Sequence, residues 1–178
     1  MILIVALFFR GQKKSIPATE SPKTSESSEQ FSPPSKENVP PEIIDHISML
    51  KKKVDENPND VHSITFLARF LMDSHKFGDA ILYFERGAKL APKDDSLLFD
   101  LSVCYYQEKQ YPKAMEVTEK ILSHNKNNIQ GLLNKGIIFA VQGKKQDAAK
   151  LFHHVVTVSP SSHEAILAKE YLKELGTL

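Results

Sequence analysis

Tryptophan is absent from the 178 residues, cysteine occurs once, at Cys104, and glycine only seven times. One thiol cannot close an intrachain disulfide. So few glycines are thin material for a phosphate cradle, and neither a phosphate loop nor a Cys-x-x-Cys spacing is written. An excess of one charge is missing too. The formal net charge is +1, which supplies no long-range field for a phosphate backbone and argues against nucleic acid. Long apolar runs are also lacking: MILIVALFF, residues 1–9, falls well short of the roughly 20 residues a spanning helix needs. No Ser/His/Asp signature appears. The one His pair, His153-His154, points its rings about 100° apart on a helix and is badly placed to share a metal. Neither an enzyme nor a cofactor or metal site is expected.

What is present falls into unlike regions. Residues 1–10 are apolar and end in Arg10. They show neither the basic leader nor the small-residue cleavage site of a signal peptide. Three readings stay open: the tail of a membrane anchor that begins upstream of Met1, a short interfacial segment, or an inconsequential apolar end. Arg10, Lys13 and Lys14 would hold the body on the cytoplasmic side, although charges upstream would reverse that. The expected localisation is membrane-anchored with the side open, otherwise cytoplasmic. Residues 11–40 are dense in Ser, Pro, Glu, Lys and Thr with one aromatic, Phe31, and read as a disordered tether. From residue 41 on the apolar period is helical: Ile43, Ile47, Leu50 and Val54 make one stripe.

A repeat then takes over. Ala80, Ala114 and Ala148 are spaced by 34 residues, as are Ala68, Ser102 and Gly136 upstream of them. Phe84, Thr118 and Phe152 keep the interval, and so do Pro92, Lys126 and Pro160. A fixed period of this length signals stacked supersecondary units. Each unit divides into a helix A, over 61–74, 95–108 and 129–142, and a helix B, over 77–90, 111–124 and 145–158. The breaks carry His75-Lys76, Lys109-Gln110 and Gly143-Lys144. The small residue in A and the alanine in B let the two helices approach closely. Asp94-Asp95, Asn127-Asn128 and Ser161-Ser162 hold N-cap positions. Residues 42–56 take the register of a B helix before the first unit. Residues 163–176 form a last helix, in which Ile166, Leu167 and Leu172 cover the final unit. Lys135 sits at an otherwise apolar position, which places it near the surface.

These features resemble the tetratricopeptide repeat. The carriers are Ile64, Leu67, Ala68, Leu71, Ala80, Phe84, Gly87 and Pro92 in the first unit. The second carries Leu98, Leu101, Ser102, Tyr105 and Ala114, with departures at Thr118, Ile121 and Lys126 that leave its B helix the weakest element. The third carries Leu132, Gly136, Phe139, Ala148, Phe152, Val155 and Pro160. The resemblance implies an all-α, right-handed solenoid of antiparallel helix pairs. Its parts are an N-terminal helix over 41–60, repeats over 61–94, 95–128 and 129–162, and a capping helix over 163–178. It further implies a concave face lined by the A helices, which offers His62, Thr65, Arg69, Met72 and Asp73, then Ser96, Phe99, Val103, Tyr106 and Gln107, then Gln130, Leu133, Ile137, Ala140 and Val141. Arg69, Met72, Phe99, Val103, Tyr106, Gln107, Gln130, Leu133, Ile137 and Val141 are the candidate peptide-binding groove. The family's Lys/Asn carboxylate clamp is not matched, because Thr65, Arg69, Asp100, Leu133 and Ile137 stand at the comparable positions.

The expected function is a non-enzymatic scaffold that holds a peptide or amphipathic helix of another protein, an assembly factor for a membrane or envelope complex. A short anchor, a linker and a small repeat body also resemble bacterial accessory proteins of c-type cytochrome maturation. The alternative is a solenoid that associates with its own copies. Cys104 reads as a packed thiol and Lys51-Lys52-Lys53 as a solvated face.

Overall fold

The computed structural model describes residues 41–177. The apolar segment 1–10 and the tether 11–40 lie outside them. Among the described residues eight helices follow one another without a strand. They are α1 (Pro41–Glu56), α2 (Val61–Asp73), α3 (Phe77–Leu90), α4 (Asp95–Gln107), α5 (Tyr111–His124), α6 (Ile129–Val141), α7 (Lys145–Val158) and α8 (His163–Leu175). None of these is long and apolar enough to cross a membrane.

The interval of the sequence sets the helix ends chemically. Asp60, Asp94, Asn128 and Ser162, each 34 residues after the last, cap α2, α4, α6 and α8 with a side-chain oxygen. Each accepts a backbone N–H of the first turn that has no partner within the helix. The A helices end just as regularly. Residues 75, 109 and 143 are in the left-handed region, with φ of 57°, 58° and 77°. At each of these turns paired backbone bonds, such as Lys109 N–H to Tyr106 O and Gln110 N–H to Tyr105 O, close a Schellman motif. Only the third position is glycine.

Each helix packs on its neighbours in the chain, and the A helices α2, α4, α6 and α8 also touch in succession. Ala68, Ala80, Ala114 and Ala148 are fully buried. Gly136 shows why the position is small: a Cβ there would lie 2.5 Å from Cε1 of Phe152. Phe152 in turn stacks on Tyr171 at 5.0 Å, which locks α7 to α8.

The second pair solves the same crossing differently. α5 is helical from Tyr111 to His124, with Pro112 in the first turn, where a missing N–H costs nothing. Where the other pairs place Phe84 and Phe152, α5 has the buried Thr118. Its hydroxyl bonds Ala114 O at 2.8 Å and meets Ser102 Oγ at 2.7 Å. Asn134, from α6, donates to both oxygens, at 2.6 and 3.0 Å. A polar network thus replaces the aromatic ring, and every member finds a partner.

One expectation about a single side chain changes. Ile166 does not cover the last pair: it is 52% exposed, and Ala165, Ala168, Tyr171 and Leu172 are buried in its place. The same register is buried at Ile64, Leu98 and Leu132, each of which has a B helix following its own; no described B helix follows α8. Lys135 is half-buried near the surface. Its side chain is only 25% exposed and is bonded to Glu119.

Candidate partner-binding face

The inner face is built from one stripe of each A helix. Of the ten candidate residues, Met72, Tyr106, Leu133 and Ile137 are buried, at 5–8% exposure. α6 has α4 on one side and α8 on the other, so the inner side chains of the middle helices sink into the seams between them. Tyr106 also leans on the Tyr111 ring, 5.5 Å away. Burial and that neighbour push its hydroxyl up to about 12. The remaining six leave surface: Arg69, Phe99, Val103, Gln107 and Gln130 are half-buried and Val141 is exposed. They form a mixed strip, apolar at Phe99, Val103 and Val141 and amide-bearing at Gln107 and Gln130. Gln107 Nε2 is buried without a hydrogen-bond partner.

Arg69 closes one end of this strip. Its Nε donates to Asp100 Oδ2 at 2.6 Å, and its Nη2 to Ser96 Oγ at 2.9 Å. The pair ties α2 to α4. Asp100 is buried, and desolvation raises its carboxyl above the usual range even though Arg69 pulls the other way. The strip therefore has no free guanidinium at this end, because the carboxylate that neutralises it comes from the protein. Sequence reasoning missed this role for Asp100, which was noted only as a departure from the clamp. The register held the signal. Asp100 and Asn134 occupy equivalent positions, and each reaches back to the preceding pair. Phe66 is their equivalent in α2, where no described A helix precedes it, and it stays 50% exposed.

The other sequence candidates sit apart from this face. His153 and His154 are exposed, and His154 faces Asn127 at 3.2 Å. Cys104 is fully buried, and burial raises its thiol well above the usual range, which leaves it an unreactive packed group. Among the described residues no three His, Cys, Asp or Glu side chains cluster to hold a metal.

This geometry has relatives. Residues 71–135 match the tetratricopeptide repeat family model. The fold is that of a tetratricopeptide-repeat solenoid. It resembles the crystal structure of MamA, with 16% identity, a TM-score of 0.66 and coverage of 76% of this chain and 80% of that one. It also resembles YrrB, described as a tetratricopeptide-repeat protein with an unusual peptide-binding site, with 16% identity, a TM-score of 0.65 and coverage of 72% and 66%. The first such domain of Spaghetti (RPAP3), bound to the HSP90 peptide SRMEEVD, has 16% identity, a TM-score of 0.59 and coverage of 65% and 90%. Among curated proteins, Protein O-mannosyl-transferase TMTC3 of Homo sapiens is 30% identical over 110 residues, 61% of this chain and 12% of that protein. BBSome complex member BBS4 of Bos taurus is 31% identical over 97 residues, 54% of this chain and 18% of that protein. The chain spans less than a fifth of the length of these two curated relatives.

Proposed function

We propose that the protein is a non-enzymatic interaction scaffold whose solenoid holds a peptide or amphipathic helix of another protein along the strip from Arg69 to Val141. The supporting observation is the character of that strip: half-open apolar side chains at Phe99 and Val103, flanked by the amides of Gln107 and Gln130. Apolar anchors beside amide groups suit a segment that presents both side chains and a backbone to be hydrogen-bonded. Peptides are bound by structural neighbours of the same fold, RPAP3 and YrrB.

The finer form of the proposal is an assembly factor for a membrane or envelope complex, with c-type cytochrome maturation as one instance. Residues 1–9 would attach it and residues 11–40 would tether it. BBS4, 31% identical over 97 residues, is named as a member of a complex. Self-association of the solenoid is the competing form, and sedimentation of the full chain at rising concentration tests it, since a chain that stays monomeric disfavours self-assembly.

The test uses the full chain as bait. Tyr106 and Ile137 are unsuitable for charge substitution because a buried charge would threaten the fold. Phe99→Glu with Val103→Glu changes the open strip instead, and Ile166→Glu at the C-terminal end is the control. Partner capture should fall at least about tenfold with the inner pair and hold with the control, at unchanged helicity. Capture that survives the inner pair would overturn the proposal.

A further inference from the structure

On the other side of α4, between α3 and α5, lies an open cavity of about 390 Å³. Leu101, Tyr105, Val117 and Ala88 line it with apolar surface, and Lys89, Lys113, Lys120, Glu85 and Glu116 supply its charges. Leu101 and Tyr105 lie about 200° around the helix from Phe99 and Val103. This is not the inner strip.

The next furrow, between α5 and α7, shows how the space is treated one repeat later. Shifted by 34 residues, Lys135 replaces Leu101, Phe139 replaces Tyr105, Glu119 replaces Glu85 and Asp147 replaces Lys113. Lys135 lays its stem there: its Nζ is 3.2 Å from Glu119 Oε1 and 5.8 Å from the Phe139 ring centre. Leu101 in the first furrow has no such reach. Glu85 accepts the Tyr105 hydroxyl instead, and Lys113 Nζ stands 5.2 Å from the centre of the Tyr105 ring.

The charges of the first furrow are also unequal. Three ammonium groups face two carboxylates, and both carboxylates are engaged, Glu85 by Tyr105 and Glu116 by Lys120 at 3.2 Å. Lys89 and Lys113 are in no ion pair among the described residues. We propose that this furrow is a second binding site that takes an acidic peptide segment of a partner. A carboxylate of the segment accepts from Lys113 and Lys89, and an adjacent apolar side chain rests on Leu101, Val117 and Ala88. The furrow has the size of a small-ligand site, and a positive rim over an apolar floor selects acidic over neutral segments.

The test is a titration of the isotope-labelled full chain, followed by two-dimensional NMR, with the capped pentapeptide acetyl-Glu-Leu-Glu-Leu-Glu-amide and its glutamine-for-glutamate analogue. The acidic peptide should shift amides near residues 85–89, 101–105 and 113–120, weaken as salt rises, and bind at least about tenfold better than the analogue. Leu101→Lys installs the plug of the following furrow, and the surface change Lys113→Asp installs the residue of the same register. Each should reduce affinity about tenfold or more. No binding, equal binding of the two peptides, shifts confined to the inner strip, or undiminished affinity in Lys113→Asp would each overturn the proposal. Lys113 is exposed, so that variant remains informative even where Leu101→Lys disturbs packing.

Discussion

Lys109 holds φ at 58° with its side chain exposed, in the register where Gly143 stands one repeat later. A residue with a Cβ is strained in that region, and glycine is not. Lys109→Gly should therefore gain roughly 0.5–1 kcal/mol despite the freer unfolded chain. Gly143→Ala should lose about 1 kcal/mol, since a Cβ there meets nothing within 4 Å and backbone strain alone acts. Urea unfolding of both variants checks the signs. Two carboxylates titrate in opposite senses. The Ser63 hydroxyl holds the Asp60 carboxyl below its ordinary 3.8. Its stabilisation is present above 3.8 and is lost as pH falls through the folded value. Burial raises Asp100 above 3.8, so the folded state takes its proton first. Wild type should then gain stability relative to Asp100→Asn as pH falls toward 3.8, and lose it relative to Asp60→Asn below 3.8. Unfolding curves across that window read both slopes, and parallel curves would contradict the assignment.

The helices were largely legible in the sequence, because their ends are chemical and recur. Asp94, Asn128 and Ser162 cap where expected, and the breaks at residues 75, 109 and 143 fall on the left-handed turns. The seams between elements were not legible. Thr118 looked like a weakness of α5, and what compensates it is Asn134, 16 residues on and in another helix. Asp100 meets Arg69 across 31 residues. Both contacts depend on how one pair rotates against the next, which a 34-residue period does not encode. For the same reason the resemblance did not give the depth of Tyr106, Leu133 and Ile137, which are buried. The seam of α5 and α6 makes its own prediction. Thr118→Val and Asn134→Leu should each cost about 1–3 kcal/mol by stranding a buried partner. The double variant should cost less than their sum by about 1 kcal/mol or more. Additive losses in a double-mutant cycle would show that the network is not coupled.

At the scale of the molecule, stacking determines which surfaces stay open. The A helices touch in succession, which buries the deeper inner side chains and leaves a strip rather than a wide apolar trough. In the first and last described A helices, Phe66 and Ile166 stand half-exposed in registers that are buried or paired elsewhere. The charged face outside α4 and the mixed strip inside it are separated by half a turn of that helix, so one scaffold carries two chemically different surfaces. The strip is tested most directly by placing the photocrosslinker benzoylphenylalanine at residue 99, 103 or 141 of the full chain, with position 158 on α7 as reference, and irradiating cells that make the protein. A discrete protein adduct from the inner positions and none from position 158 is the predicted result. Adducts of equal yield from position 158, or none from any inner position, would contradict a partner-holding inner face.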